Sequence, residues 1–206
     1  MARESDRPEV GRILTVEHPA VITVSSRAAK GNNLLATESM LRAAGVSVAQ
    51  TDRGGDITYH GPGQLVVYPI LDLNLLNLGL HEYMRLLESS VIDACAALGV
   101  SGRRDPGATG VWVGEPGEKI CAMGVRVRRW VSMHGLALNV DPNLDHFRLI
   151  VPCGLVGRGV TSLARQLPGS PPSMEVAKAA VVAALRHHID LARDEAVKAR
   201  SLTARA

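Results

Sequence analysis

The sequence predicts a single α+β domain with a largely antiparallel or mixed sheet. Three observations predict it. Short β-branched apolar runs come in groups separated by turn residues. Two longer segments carry an apolar residue every third or fourth position, the period of a helix packed on one side. The chain has 206 residues, 46% of them hydrophobic, which suits one well-buried core. Aromatic residues are only 3%, so that core must be built from Val, Leu, Ile, Ala and Met.

The elements follow in order. Residues 12–16, RILTV, and 20–24, AVITV, read as strands broken by a Glu17-His18-Pro19 turn. Residues 33–44 read as a helix, with Asn33 available as N-cap and Gly45 past its end. Residues 46–50 follow as a strand. QLVVYPILDL, residues 64–73, reads as a buried strand in which Pro69 marks an edge or a bulge. Residues 81–98 form a helix whose stripe is Met84, Leu87, Val91, Cys95 and Leu98, closed by Gly99. Residues 110–114 and 119–127 are strands joined by a Glu115-Pro116-Gly117 turn, and 131–140 is another strand. Ser173 caps a helix over 173–192 with Met174, Ala177, Val181, Leu185 and Ile189 on one face. The charged tail beyond it, 193–206, is expected to fray.

Composition narrows the function class. A formal net charge of +3 is too small to argue for nucleic-acid binding and would suit an acidic partner. The polar start MARESDRPEVGRI lacks the apolar stretch of a signal peptide, and no run approaches the ~18 apolar residues of a membrane span. Cys95, Cys121 and Cys153 are odd in number and far apart, without metal-site or redox spacing. Together these predict a cytoplasmic protein with free thiols.

Three segments carry chemistry. RGGDITYHGPGQ, residues 53–64, packs four glycines and a proline into twelve residues. Such a loop brings backbone N–H groups close to a ligand, or is simply a turn around a buried Tyr59. In residues 119–127, period two would place Lys119 on the apolar face with Cys121, Met123, Val125 and Val127. There it either snorkels to water or is held partly buried as a base. In IVPCGLVGRGVTSL, residues 150–163, Cys153 sits between Pro152 and Gly154 in neither a helical stripe nor an alternating strand. It ranks first of the three cysteines as a nucleophile, because Cys95 and Cys121 fall on apolar faces. His60 and His134 have polar, glycine-adjacent settings and would donate to a substrate carbonyl. His18 would cap a turn, while His187 and His188 would be solvated. Arg126, Arg128 and Arg129 are either a solvated face or a docking surface for an acidic carrier.

Taken in order, EHPAVITV, RGGDITYHGPGQLVVYPI, KICAMGVRV, HGLALNV and IVPCGLVGRGVTSL closely resemble the lipoyl(octanoyl) transferases, from about Glu17 to Leu163. The resemblance implies a biotin/lipoate-ligase-like fold, a mixed sheet with packed helices in one domain. It implies transfer of an octanoyl group from the phosphopantetheine of acyl carrier protein to a lipoyl-domain lysine. The acceptors would be 2-oxoacid dehydrogenase complexes and the glycine-cleavage H protein. Cys153 would carry the acyl thioester and Lys119 would lower its pKa. Arg53, Gly54, Gly55, Asp56, Ile57, Thr58, Tyr59 and His60 would contact the acyl substrate. Ala122, Met123, Gly124, Gly135, Leu136 and Ala137 would line its channel. No metal, further cofactor, nucleic acid or membrane is implied. The division would be a short arm over 1–16, a catalytic domain over 17–192 and a tail over 193–206. The family has a further strand and helix ahead of the EHP segment, where 16 residues stand here; Ser25-Ser26 and Cys121 also depart from its pattern. Three rivals share parts of the pattern: an ATP-dependent lipoate or biotin ligase, a non-catalytic binding module, and a cysteine hydrolase using His60 or His134.

Overall fold

The computed structural model describes residues 9–26, 33–151 and 158–203. Two sheets organise them. The larger has six strands: β1 (Gly11–Val16), β5 (Gln64–Leu71), β9 (Val131–Asn139), β8 (Glu118–Arg128), β7 (Ala108–Val113) and β6 (Gly102–Asp105), side by side in that order. Every neighbouring pair is antiparallel. The smaller has β3 (Ser47–Thr51), β2 (Val21–Ser25) and β4 (Ile57–His60), with β2 parallel to β3 and antiparallel to β4. This is the α+β mixed arrangement that the sequence predicts.

Alternation along the strands separates two cores. On β5, Leu65, Val67 and Leu71 face the main core, where the helices α2 (Leu80–Ala97) and α4 (Met174–Thr203) pack. The α4 stripe is Ala177, Val181, Leu185 and Ile189, as its spacing predicts, and it continues through Ala192 and Ala196. For that reason the helix does not end near 192. It runs to Thr203, and Arg200 donates to the Asn74 carbonyl at 2.6 Å. A second core under the small sheet holds Ile22, Leu41, Ile57, Tyr59, Phe147 and Ile150.

Pro69 marks a break inside the sheet. β5 lies between β1 and β9, but its ladder with β9 is registered only from Gln64 to Val67. Beyond that, the buried Ser132 hydroxyl takes over. It donates to Pro69 O at 2.7 Å and accepts from Leu71 N at 2.9 Å. Backbone groups that proline cannot pair are thereby satisfied.

Other elements depart from expectation. The first helix, α1 (Glu38–Ala44), starts late because Thr37, not Asn33, caps it. Residues 33–36 instead form an extended strap: Leu34 bridges Ile150, and the N–H groups of Leu35 and Ala36 donate to Leu149 O. β4 occupies what reads as a glycine loop. β6 and a 3₁₀ turn over Leu144–Leu149 lack a sequence signature strong enough to predict them. A short helix α3 (Leu163–Gln166) leads toward α4. Cys95 and Cys121 are fully buried, as read; burial pushes the Cys95 thiol up to about 12 and the Cys121 thiol up as well. His188 is no bystander, since its Nε2 meets Asp93 Oδ2 at 2.7 Å and ties α4 to α2.

Candidate active site

A cavity of about 680 Å³ is lined by the inner face of the small sheet and by β5, β8 and β9 of the large one. Period two explains the lining. On β4, Ile57 and Tyr59 point into the second core, which leaves Thr58 and His60 for the cavity. On β2, Ile22 points to that core and Val21 and Thr23 to the cavity. Arg53, Gly54, Gly55, Ala122, Met123, Gly124, Gly135, Leu136 and Ala137 line the cavity. Ile57 and Tyr59 do not. Asp56 does not either; it accepts a hydrogen bond from Asn33 Nδ2.

Lys119 is the main correction. Val111 pairs with Cys121, but the next residue of β7, Trp112, pairs with Lys119, so Ile120 is an extra residue in β8. Ile120 and Cys121 therefore both enter the main core, fully buried. Lys119 is turned to the other face, together with Trp112, and reaches the cavity rather than the apolar core. It is half-buried, and its Nζ lies 4.7 Å from the Trp112 ring centroid. The Arg158 guanidinium lies 3.6 Å from the same ring and donates to Asp105 at 2.6 Å. That hydrogen bond from Arg158 holds the Asp105 carboxyl down to about 2, with the Gly107 N–H helping.

The backbone of Lys119 is engaged from the other side as well. Its N–H donates to Gly159 O at 2.9 Å, and its carbonyl accepts from Thr161 N at 3.0 Å. Cys153, with residues 152–157, lies outside the described residues.

The glycine loop is built differently from a ligand cradle. Gly54 N–H donates to Val125 O at 2.9 Å, on the edge of β8 beyond β7. A Cβ on Gly54 would meet that oxygen at 2.6 Å, and one on Gly124 would meet Gly54 O at 2.6 Å. The buried Ser25 hydroxyl donates to Gly55 O at 2.7 Å. Arg53 donates to Thr23 O at 2.8 Å and lies along the wall. Gly63, at φ +83, packs against Asp141, where a Cβ would lie 2.1 Å from the carbonyl oxygen.

Sequence reading passed over part of the wall. His18 Nε2 is 2.8 Å from Tyr68 Oη, and both residues line the cavity. Glu17 accepts from Gly63 N at 2.7 Å, so the EHP turn stitches the β1–β2 connection to the β4–β5 turn. A signal existed: Tyr68 shares the Gln64–Val66 face of β5. His134, at φ +60, has its Nε2 2.8 Å from Asp52 Oδ1, and Asp52 also pairs with Arg126. The His134 hydrogen bond, followed by the Arg126 charge, lowers the Asp52 carboxyl. Arg126 is thus tied down, while Arg128 and Arg129 stay exposed. Among the described residues no group of three or more His, Cys, Asp or Glu is placed to hold a metal ion, and no helix is long and apolar enough to cross a membrane.

The profile of the lipoyl protein ligase A/B catalytic domain matches residues 2–186. The octanoyltransferase of Chloroflexus aggregans is 49% identical over 179 residues, spanning 86% of this chain and 80% of the relative. That of Flavobacterium johnsoniae is 48% identical over 187 residues, spanning 89% and 80%. This chain belongs to the octanoyltransferase family. Solved structures show the fold at lower identity. A lipoate-protein ligase A bound with ATP superposes with a TM-score of 0.72 at 14% identity, over 86% of this chain and 72% of that one. The lipoate protein ligase of Thermoplasma acidophilum gives 0.68 at 14% identity, over 86% and 71%. A biotin protein ligase from Aquifex aeolicus gives 0.54 at 14% identity, over 84% and 72%.

Proposed function

We propose that the chain takes an octanoyl group from the phosphopantetheine thiol of acyl carrier protein and holds it as a thioester on Cys153. It then passes the group to a lysine on the lipoyl domains of 2-oxoacid dehydrogenase complexes or on the glycine-cleavage H protein. The observation that carries this reading is Lys119, turned by the β8 bulge out of the core and into the cavity. The relatives named octanoyltransferase support it.

The energetics agree. Thiol attack on a thioester makes another thioester and is nearly isoenergetic, whereas transfer to an amine makes an amide and runs downhill. No ATP is required. A free cysteine has a pKa of about 8.5 and needs help at neutral pH. Lys119 supplies it, as a cation beside the thiolate or as a neutral base; the two titrations are coupled and belong to the pair. Arg158 and Gly159 stand against Trp112 and Lys119 at this corner of the cavity. Ala122, Gly124 and Ala137 suit an alkyl chain, each buried methylene contributing about 0.8 kcal/mol.

Intact mass tests the reading. After incubation with octanoyl-acyl carrier protein, an octanoyl adduct should map to Cys153 and discharge onto a lipoyl domain. No adduct from active enzyme would falsify it. A Cys153→Ser variant fully active only with ATP would instead indicate a ligase.

A further inference from the structure

Trp112 is the largest fully buried side chain among the described residues, at 1% exposure, yet it belongs to neither apolar core. A buried indole ordinarily sits among aliphatic neighbours. Here cations cover it. The Arg158 guanidinium lies 3.6 Å from the ring centroid and Lys119 Nζ lies 4.7 Å from it. The chain has two tryptophans, and the other, Trp130, is exposed between β8 and β9.

The backbone fixes this arrangement. Trp112 Nε1 donates to Ala108 O at 3.0 Å, which sets the plane of the ring. Lys119 is the ladder partner of Trp112, and directly opposed residues share a face. The extra residue Ile120 therefore does two things: it turns Lys119 out of the core and sets it beside the indole. The lysine stem passes over bare backbone, since a Cβ built on Gly110 would touch Lys119 Cε at 3.5 Å and Cδ at 3.6 Å.

A ring face attracts a charged amine through its quadrupole and does little for a neutral one. Contact with Trp112 thus favours the ammonium form of Lys119. The neighbouring charges come in pairs. Arg158 is neutralised by Asp105 at 2.6 Å, and Arg103 on β6 meets Glu115 at 2.9 Å. Glu118 on β8 meets Arg165 at 3.8 Å, and Glu88 on α2 is held by Arg85 and Arg104. Burial pushes the Cys121 thiol up, so it stays protonated. Tyr68, Arg53 and the imidazoles of His18, His60 and His134 share the cavity; Arg53 and any charged imidazole work against an ammonium. We infer that Trp112 is a positioning residue whose indole holds Lys119 Nζ at the cavity wall as an ammonium. Of the two roles open to Lys119, cation or neutral base, this selects the cation for the resting enzyme. What that cation does for Cys153 rests on the function proposed above.

The test titrates Lys119 without any donor. Labelling by acetic anhydride is followed against pH, and acetylated Lys119 is quantified by peptide mass. Trp112→Leu removes a stabiliser of the ammonium, so the midpoint of the profile should fall by about one pH unit. Trp112→Phe keeps a ring face and should move it less than half as far. A fold-safe version puts 5,7-difluorotryptophan at position 112 in a Trp130→Phe background. Fluorine drains the ring face and nearly preserves its shape, so the midpoint should fall by about half a pH unit. A midpoint unmoved by fluorination overturns the inference, because a merely structural tryptophan behaves that way. Octanoyl-acyl carrier protein then reads the role in the reaction. Trp112→Leu should slow adduct formation on Cys153 by about tenfold, and Trp112→Phe by no more than about threefold. A wild-type rate in Trp112→Leu overturns the positioning role. If the midpoint moves as expected but wild type forms no adduct, the hold on Lys119 is upheld and the transferase reading fails by itself.

Discussion

His60 stays neutral because desolvation penalises its charged form, with Arg53 and His18 pushing the same way; the Gln64 hydrogen bond opposes them. Its folded pKa, about 4, lies below the ordinary histidine value of 6.5. Between those values the unfolded chain binds a proton that the folded chain does not, so stability rises with pH across that window. The contribution is fully present above pH 6.5 and lost on acidification toward 4, about 3 kcal/mol in all. Urea unfolding at pH 7 and 4.5 should show this slope in wild type and a clearly shallower one in His60→Gln. Lys119→Ala should slow adduct formation on Cys153 by about 10²–10⁴-fold. An unchanged rate would remove Lys119 from the mechanism.

Single elements are governed by where a backbone must pass close to another. At Gly124 a Cβ would meet Gly54 O at 2.6 Å, and at Gly135 it would meet Val67 O at 2.2 Å and Pro69 Cδ at 2.7 Å. Ala at either position should cost about 1–3 kcal/mol. Gly124→Ala should also slow acylation, because it lifts residues 53–55 off β8. Gly45 differs in kind: it ends α1 at φ +64 with nothing within 4 Å of its would-be Cβ. Gly45→Ala should cost about 1 kcal/mol through backbone strain alone and leave acylation unchanged. Thermal melts beside adduct rates distinguish the three. The β8 bulge belongs to this scale too. Nothing local in KICAMGVRV announces an extra residue, because Ile120 and Cys121 are both apolar and either would satisfy an alternating strand. A regular period of two therefore predicts the wrong face for Lys119.

Across the whole molecule, the helices α2 and α4 pack on the six-stranded sheet over the main core, and α2 also lends Leu80 and Met84 to the cavity lining. Leu185 is fully buried in the main core and does not line the cavity. Leu185→Ala should cost about 2–5 kcal/mol in urea unfolding. The rate of adduct formation on Cys153 should be retained in the remaining folded protein. Buried Glu88 joins the layers: it accepts from Arg85 at 2.6 Å, Arg104 at 3.2 Å and Gly110 N at 3.2 Å, pinning the β6–β7 hairpin to α2.

The sequence by itself determined the α+β class, the stripes of α2 and α4, the break at Pro69 and the membership of the family. These follow from periodicity, proline chemistry and ordered motifs that are local in the chain. Tertiary structure alone decided which face Lys119 takes, that Ile57 and Tyr59 serve the second core, and that His18 joins Tyr68. Those outcomes depend on strand register and on partners fifty or more residues away, as with His18 and Tyr68. No window of sequence contains both sides of such a contact. The tautomer of His60 shows the limit most clearly, because it is set from Thr161 through Asn139 and Gln64, three residues that meet only when the sheet has formed.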